Sequence, residues 1–456
     1  MIGGAGANVC PSGCLFANDA GKRPIDMSVA FATATEHRAT PTSVADLVDD
    51  ELVRSAYQPL VDLYSGETIG YEALARGPRG TRLERPDALF EAAQVAGLER
   101  EVEWECQRAA LHGALAAGLG NGLSLFVNLE PRLLRAERPA RLAELLAEAL
   151  ERFDVVAEFT ERSLTDRPAE LLAAVARLRQ RGVGIALDDV GSDPRSLALM
   201  PFLSPDVIKL DLRVVQEHPT RRIAEIVHAV SAEAERTGAL VLAEGIETEQ
   251  HRLTALALGA RYGQGWLFGH PGELHPPGTS RASAIAAAPR ARQLDRVSPF
   301  ETVAAQRDVR RANKRLLLAL SLQIEAQAVG LGASAVVLST FQQAQFFTQR
   351  TAARYSAMAG RAALVGALGV GLSAQPADGV RGVALDVADP LRGEWDVTVI
   401  APHFAMAFVA RELDDGRGGG DMERSFDFAM TYDRALAVAA ARAMMSRVAP
   451  ASASPA

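Results

Sequence analysis

Between residues 46 and 275, short apolar runs of strand length alternate with longer stretches in which apolar residues recur at helical spacing. The runs lie at 55–63, 68–76, 123–129, 154–160, 184–190, 206–211, 239–246 and 261–265, and helical patterns fill 86–118, 132–151, 168–181, 194–203, 217–237 and 248–258. Strands that alternate with helical crossovers over this length predict an α/β fold, a (β/α)8 TIM-like barrel, rather than an open sheet. Only Tyr64-Ser65-Gly66-Glu67 separates the first two runs. That is a hairpin turn, so the first strand is expected to run antiparallel to the second.

The pattern also marks boundaries. Residues 1–45 are rich in Gly, Ala, Thr and Ser without periodicity and are expected to be a disordered leader. Residues 276–297 have linker composition, Pro-, Ala- and Arg-rich. Residues 298–448 predict a separate α/β domain. Its expected elements are a long helix at 303–329, a strand at 334–340, a helix at 349–361, and strands near 379–386, 395–401 and 404–411. A Gly-rich loop at 416–420, a further strand and a helix at 433–447 complete it. Residues 449–456 are expected to be a disordered tail.

Composition narrows the function classes. The formal net charge is −8, which disfavours nucleic-acid or anionic-membrane partners. No apolar run approaches the roughly 20 residues of a membrane span, and the first residues lack a secretory pattern, so the expected location is cytoplasmic. Cys10, Cys14 and Cys106 form no disulfide framework or zinc motif. Only Lys22, Lys209 and Lys314 are lysines among 48 basic residues. Lys209, standing between acidic motifs, is therefore conspicuous, since lysine offers a compact ammonium where arginine offers a planar fork.

The candidate chemistry sits where the strands end. In a β/α barrel the carboxyl ends of the strands converge on one face. Here they carry Glu72 and Arg76, Asn128, Glu158 with Glu161, Asp188-Asp189, Lys209 with Asp211, Glu244 with Glu247, and Gln264. Singly, each acid is more often a helix cap or a solvated charge; Asp189 and Glu247 could each open the following helix. Jointly, carboxylates crowded into one low-dielectric mouth repel one another unless cations neutralise them. Oxygen donors and an amide favour Mg²⁺ or Mn²⁺. Adjacent aspartates suit a pair of ions about 3.5–4 Å apart, which lowers the pKa of a bound water to about 7.

Glu72-Ala73-Leu74 with Arg76, Val127-Asn128-Leu129-Glu130-Pro131, Glu158-Phe159-Thr160-Glu161, Asp188-Asp189, Lys209-Leu210-Asp211, Glu244-Gly245-Ile246-Glu247 and Gln264-Gly265 stand in the order found in EAL-domain cyclic di-GMP phosphodiesterases, which this region resembles. The resemblance implies a barrel with an antiparallel first strand and hydrolysis of cyclic di-GMP to linear pGpG with two divalent cations. It implies that Glu72, Asn128, Glu158, Asp188 and Asp189 ligate the metals, and that Glu244 is a further ligand or the proton acceptor. Lys209 would contact water or phosphate, Arg76 would hold a substrate phosphate, and Gln264 would assist near Glu244. Glu161 would anchor the loop after the fifth strand, while Asp211 and Glu247 would support ligand orientation. One departure stands out. The family usually reads Phe-Gly-Thr-Gly-Tyr-Ser-Ser after the aspartate pair, whereas this chain reads Val190-Gly191-Ser192-Asp193-Pro194-Arg195-Ser196. Pro194 stiffens that loop, which leaves a receptor that binds cyclic di-GMP without cutting it as the alternative.

Residues 298–448 resemble the DICT sensory domain through Ser298-Pro299-Phe300-Glu301, Phe347-Thr348 with Thr351, Arg354 and Tyr355, Asp389-Pro390-Leu391 with Glu394-Trp395, and Ala401-Pro402-His403-Phe404. The expectation is a regulatory module with an unknown signal. Phe346, Phe347, Tyr355 and Trp395 are read either as a pocket or as ordinary core, and the helix at 303–329 either as a dimer contact or as internal packing. A homodimer is expected.

Overall fold

The computed structural model of the protein describes residues 43–120, 122–130, 139–160, 166–277, 298–413 and 420–448. The expected leader up to residue 42, nearly all of the linker, the tail and Glu161 lie outside these residues. Ser43 caps a short helix, α1 (Val44–Asp49), in a reciprocal capping box with Asp46, so residues 43–45, expected within the leader, are part of a capped helix.

Eight strands close the barrel: β1 (Arg54–Asp62), β2 (Thr68–Arg76), β3 (Ser124–Asn128), β4 (Asp154–Thr160), β5 (Gly184–Val190), β6 (Val207–Leu210), β7 (Leu240–Ala243) and β8 (Tyr262–Gln264). β1 pairs antiparallel with both β2 and β8, and the other pairings are parallel. The expected helix at 86–118 is two helices, α2 (Pro86–Ala96) and α3 (Glu99–Ala116). Gly97 ends α2 at φ 69°, a left-handed cap that glycine adopts without strain. The outer layer continues with α4 (Ala140–Arg152), α5 (Pro168–Gln180), α6 (Pro194–Leu203), α7 (Leu212–Gln216), α8 (Arg221–Thr237) and α9 (Glu249–Ala257).

Alternation along the strands builds two cores. Leu60, Ile69, Phe126, Val156, Ala186, Val207, Leu242 and Tyr262 form an apolar cluster of their own. These residues fill the barrel's interior, as the strand period of two requires. Their neighbours on the strands face outward onto the helices. Full burial of a side chain such as Phe126 or Val156 contributes about 1.5–3 kcal/mol.

The C-terminal domain is built on a seven-stranded sheet. Its elements are α10 (Pro299–Ala304), β9 (Arg310–Asn313), α11 (Lys314–Val329), β10 (Val336–Gln343), α12 (Gln349–Ala359), β11 (Leu364–Val370), β12 (Arg381–Ala384), β13 (Glu394–Ala401), β14 (Phe404–Glu412), β15 (Ser425–Thr431) and α13 (Arg434–Met445). The sheet order is β12-β11-β10-β13-β14-β15-β9. The continuous helix expected at 303–329 is broken, because Arg310–Asn313 pairs with β15 as an edge strand. The remaining α11 buries Leu317, Ile324 and Ala328 in its own domain's core. Tyr355 is fully buried, edge-on to Phe341 and Phe347. Tyr355, Phe347 and Trp395 pack in this domain's apolar cluster, and Phe346 instead lies under Lys314 and Arg424. Among the described residues no helix is long and apolar enough to cross a membrane.

Candidate active site

All but one of the inward site residues follow from the strand period. Phe126, Val156, Ala186, Val207, Leu242 and Tyr262 point into the barrel, so the residues two positions on point inward one layer higher. Those residues are Asn128, Glu158, Asp188, Lys209, Glu244 and Gln264. Glu72 pairs with Phe126 in the β2–β3 register, so it faces inward, and its carboxylate reaches Asn128 of the higher layer. On antiparallel β1 the corresponding residue comes two positions before Leu60, and it is Gln58. Sequence reading passed over Gln58, although a lone amide inside the apolar run Tyr57–Val61 is a signal for it.

Asp189 should point away from Asp188 by alternation, yet it does not. The β5–β6 register slips between Leu187 and Val190, and Asp189 takes φ 58°. This irregularity re-aims its carboxylate, so that oxygens of Asp188, Asp189 and Glu244 all lie within 4.8 Å of one another.

Lys209 stands at the centre, fully buried. Its Nζ is 2.7 Å from Glu158, 2.9 Å from Asp188, 2.9 Å from Glu244 and 3.6 Å from Glu72. Glu72 also accepts from Asn128 Nδ2 at 3.1 Å and from Gln264 Nε2 at 2.6 Å, and Gln264 Nε2 reaches Gln58 Oε1 at 3.0 Å. One ammonium has three protons to give. Its contacts with Glu158 Oε1 and Asp188 Oδ1 are close but not aligned as hydrogen bonds, and Glu158 Oε2 is buried with no hydrogen-bond partner.

The charge imbalance appears in the acidities. Burial and then neighbouring Glu72 push Glu158 well above the usual carboxylate range. Burial carries Glu244 up to about 8 despite Lys209. Burial, Asp188 and Asp211 raise Asp189 to about 6. Glu72 is lowered: burial works against its charge, but Lys209 and the two amides outweigh it. Lys209 is held well above its ordinary value by Asp188, Glu158, Glu244 and Glu72, against the opposing effect of burial. Buried carboxylate oxygens without donors, set among hard oxygen ligands, fit divalent cations.

The supporting residues separate. Asp211 caps α7 and pairs with Arg213, close enough to Asp189 to raise it. Glu247 is exposed ahead of α9, whose cap is Thr248, so neither Glu247 nor Asp189 opens a helix. The departure after the aspartates has a local reason. Asp193 caps α6, accepting from Arg195 N at 2.9 Å, and Pro194 occupies a first-turn position, where a proline costs no hydrogen bond.

At the same end of the barrel a groove of ≈ 470 Å³ is lined by Arg54, Arg76, Arg79, Glu84, Arg85 and Glu273 among others. Arg54 pairs with Glu84, and Arg79 with Glu273. Arg76 makes no ion pair among the described residues and donates to its neighbour's carbonyl, Ala75 O, at 2.8 Å. Arg54 and Arg79 were not anticipated, because their relation to Arg76 depends on the strand register.

Comparison with known proteins finds matches to each of the two regions. The family model described as "EAL domain" matches residues 43–271, half of the 456-residue chain. A second, "Sensory domain in DIguanylate Cyclases and Two-component system", matches 298–413. The chain is 33% identical over 241 residues to cyclic di-GMP phosphodiesterase RocR of Pseudomonas aeruginosa, covering 50% of this chain and 60% of RocR. It is 29% identical over 240 residues to the probable cyclic di-GMP phosphodiesterase PdeB of Escherichia coli, covering 49% of this chain and 43% of PdeB. The match thus spans less than two thirds of either relative. Among solved structures, a manganese and cyclic di-GMP complex of BlrP1 from Klebsiella pneumoniae aligns at 27% identity and TM-score 0.43, over 48% of this chain and 56% of that one.

Proposed function

This chain belongs to the EAL-domain family, and on that premise we propose that its barrel hydrolyses cyclic di-GMP to linear pGpG. The observation that carries the reading is the inward ring of Glu72, Glu158, Asp188, Asp189 and Glu244 around Lys209, with carboxylate oxygens left over. Glu72, Asn128, Glu158, Asp188 and Asp189 are the residues that would hold two divalent cations, Mg²⁺ or Mn²⁺. Bound there, the cations supply charge neutralisation at the phosphate and a more acidic water.

The chain's own groups do the rest. Arg76, uncommitted in the groove, takes a phosphate of the substrate. Lys209 keeps its proton and offers it as a hydrogen bond to the oxygen that becomes more negative as water adds to phosphorus. Glu244 accepts the proton that the water loses. The P–O3′ bond breaks as a P–OH bond forms, and the departing 3′ oxygen takes a proton from bulk water to leave as a hydroxyl, while Glu244 returns its proton to solvent. Gln264 and Asn128 fix the Glu72 carboxylate. The C-terminal domain is the regulatory part.

Incubating the purified protein with cyclic di-GMP and Mn²⁺, with chromatographic detection of products, tests this. Linear pGpG that forms with Mn²⁺ and disappears with a chelator is the expected result. Bound but intact cyclic dinucleotide would select a receptor instead, and absence of binding would refute both.

A further inference from the structure

From Ser196 to Leu203 helix α6 is buried around its whole circumference, while Arg195 in its first turn is exposed. Ser196, Leu197, Ala198, Leu199, Met200, Phe202 and Leu203 are each at most 4% exposed. A helix on the outside of a barrel ordinarily keeps a polar outer face; α6 lacks one because a second body covers it. Its inner side meets β5 and α8, and its outer side meets the 3-10 turn Gly332–Ser334, β13 and α13 of the C-terminal domain. Met200 and Leu203 belong to the same continuous apolar cluster as Leu338, Ile400 and Met444.

The two ends of α6 are held from different domains. Arg442, on α13, donates through Nη2 to Pro201 O at 2.8 Å and to Ser204 Oγ at 2.5 Å. Ser204 is the C-cap of α6, at φ 47°. The last carbonyls of a helix have no partner within it, and a guanidinium there also meets the negative end of the helix dipole. The other end leads directly to the acids. Ser192 N bonds Asp189 O at 3.1 Å, and Arg222 Nη2 holds Ser192 O at 2.8 Å. Gly191 sits at φ +109°, where an added Cβ would come within 2.9 Å of Val214 Cγ2. Only Val190, Gly191 and Ser192 stand between Asp189 and the cap residue Asp193, and they are tied at their carbonyls. A displacement of α6 is therefore transmitted to Asp189 rather than absorbed by slack chain.

We infer that the C-terminal domain sets the geometry of the cation site through α6, with Arg442 as the positioning residue that couples the two. The inference rests on the barrel mouth being a cation site, as proposed above. It also means that the outer face of α6 is taken up by the chain itself, so a contact with a second copy has to use another surface.

The test uses the full chain and three variants: Arg442→Ala, Arg442→Lys and Ser204→Gly. The last removes the hydroxyl acceptor while suiting the positive φ, so it retains the fold. Calorimetric titration with Mn²⁺ alone, beside thermal melts, gives the readout. Arg442→Ala is expected to weaken Mn²⁺ binding about 10-fold, the lower end of what loss of a group bonded directly to a ligand costs. Arg442→Lys and Ser204→Gly should weaken it less. With cyclic di-GMP, kcat should fall at unchanged KM, because the Arg76 groove lies on β1 and β2. Folded variants that bind Mn²⁺ as tightly as the parent would overturn the inference, and Ser204→Gly decides the matter if Arg442→Ala does not fold. A parent protein that takes up no Mn²⁺ would instead overturn the site reading beneath it.

Discussion

At the barrel mouth a single ammonium faces four carboxylates, whereas in the C-terminal sheet buried acids have cations or hydroxyls of their own. Glu325 receives Arg354 Nε at 2.9 Å and Tyr355 OH at 3.3 Å. Glu394, fully buried, receives Ser298 Oγ at 2.5 Å, Arg411 Nη2 at 2.8 Å and Phe300 N at 3.1 Å. Asp396 lacks a cation, and burial and then neighbouring Glu394 push it well above the carboxylate range. The networks at Glu325 and Glu394 are balanced and fix α10, α11 and α12 to the sheet, whereas Asp396 Oδ1 is buried without a hydrogen-bond partner. The barrel cluster is overfilled with negative charge, which buried acids tolerate only by staying protonated or by taking up cations. A whole cluster of unmatched carboxylates marks the candidate site, whereas the single raised acid of the sheet, Asp396, is held by Thr340 Oγ1 at 3.2 Å.

The largest effect that sharpens this contrast is on turnover. Glu72→Ala should cut pGpG formation by more than the about 100-fold that loss of an outer-shell partner costs. Circular dichroism should show the fold retained, since no apolar cavity opens. An unchanged rate would remove Glu72 from the site.

Next is Lys209→Met, which leaves the carboxylates uncompensated. In the cation-free protein it should cost about 3–5 kcal/mol by denaturant unfolding, and Mn²⁺ should restore part of the loss. A neutral outcome would mean that the acids do not depend on the ammonium.

A pH series follows. Glu244 at about 8 and Asp189 at about 6 lie above their ordinary values. Raised acids favour the folded state while protonated. Their contribution is complete below the ordinary carboxylate range and is lost as pH rises through the folded values. The Tm of the cation-free protein should therefore fall between about pH 4 and about pH 8, and Mn²⁺ should flatten the decline. Mn²⁺ binding itself should tighten over that interval as protons leave. A Tm that rises across it would contradict the overfilled cluster.

The smallest effect belongs to the balanced region. Tyr355→Phe removes the hydroxyl that reaches Ser339 Oγ at 2.6 Å and Glu325. It should cost about 1–3 kcal/mol and leave Mn²⁺ affinity at the parent value. Weakened Mn²⁺ binding would blur the distinction between the two regions.

Much of the barrel was legible because its signals are local. An apolar run that ends in Glu158, Asp188 or Glu244 identifies both the strand and the residue at its mouth. Gln58 and Asp189 were less legible. The first belongs to the site only because β1 runs antiparallel, and the second points inward only through the slip after Leu187. In the C-terminal domain the decisive contacts are distant in sequence. Arg310–Asn313 is charged and short, and it becomes a strand only by pairing with Ser425–Phe428. The Gly-rich β11, Leu364–Val370, has weak strand propensity of its own but lies between β10 and β12. The bare Gly366 leaves room for the buried Leu338, whose Cδ2 would lie 2.7 Å from an added Cβ. The burial of α6 was likewise out of reach, since nothing near residue 200 announces the domain that covers it.

The central claim is most directly tested by anomalous diffraction from crystals grown with Mn²⁺. The account predicts manganese peaks among Glu72, Asn128, Glu158, Asp188 and Asp189. A saturated crystal with no manganese at these residues, or with manganese only elsewhere on the molecule, would contradict it.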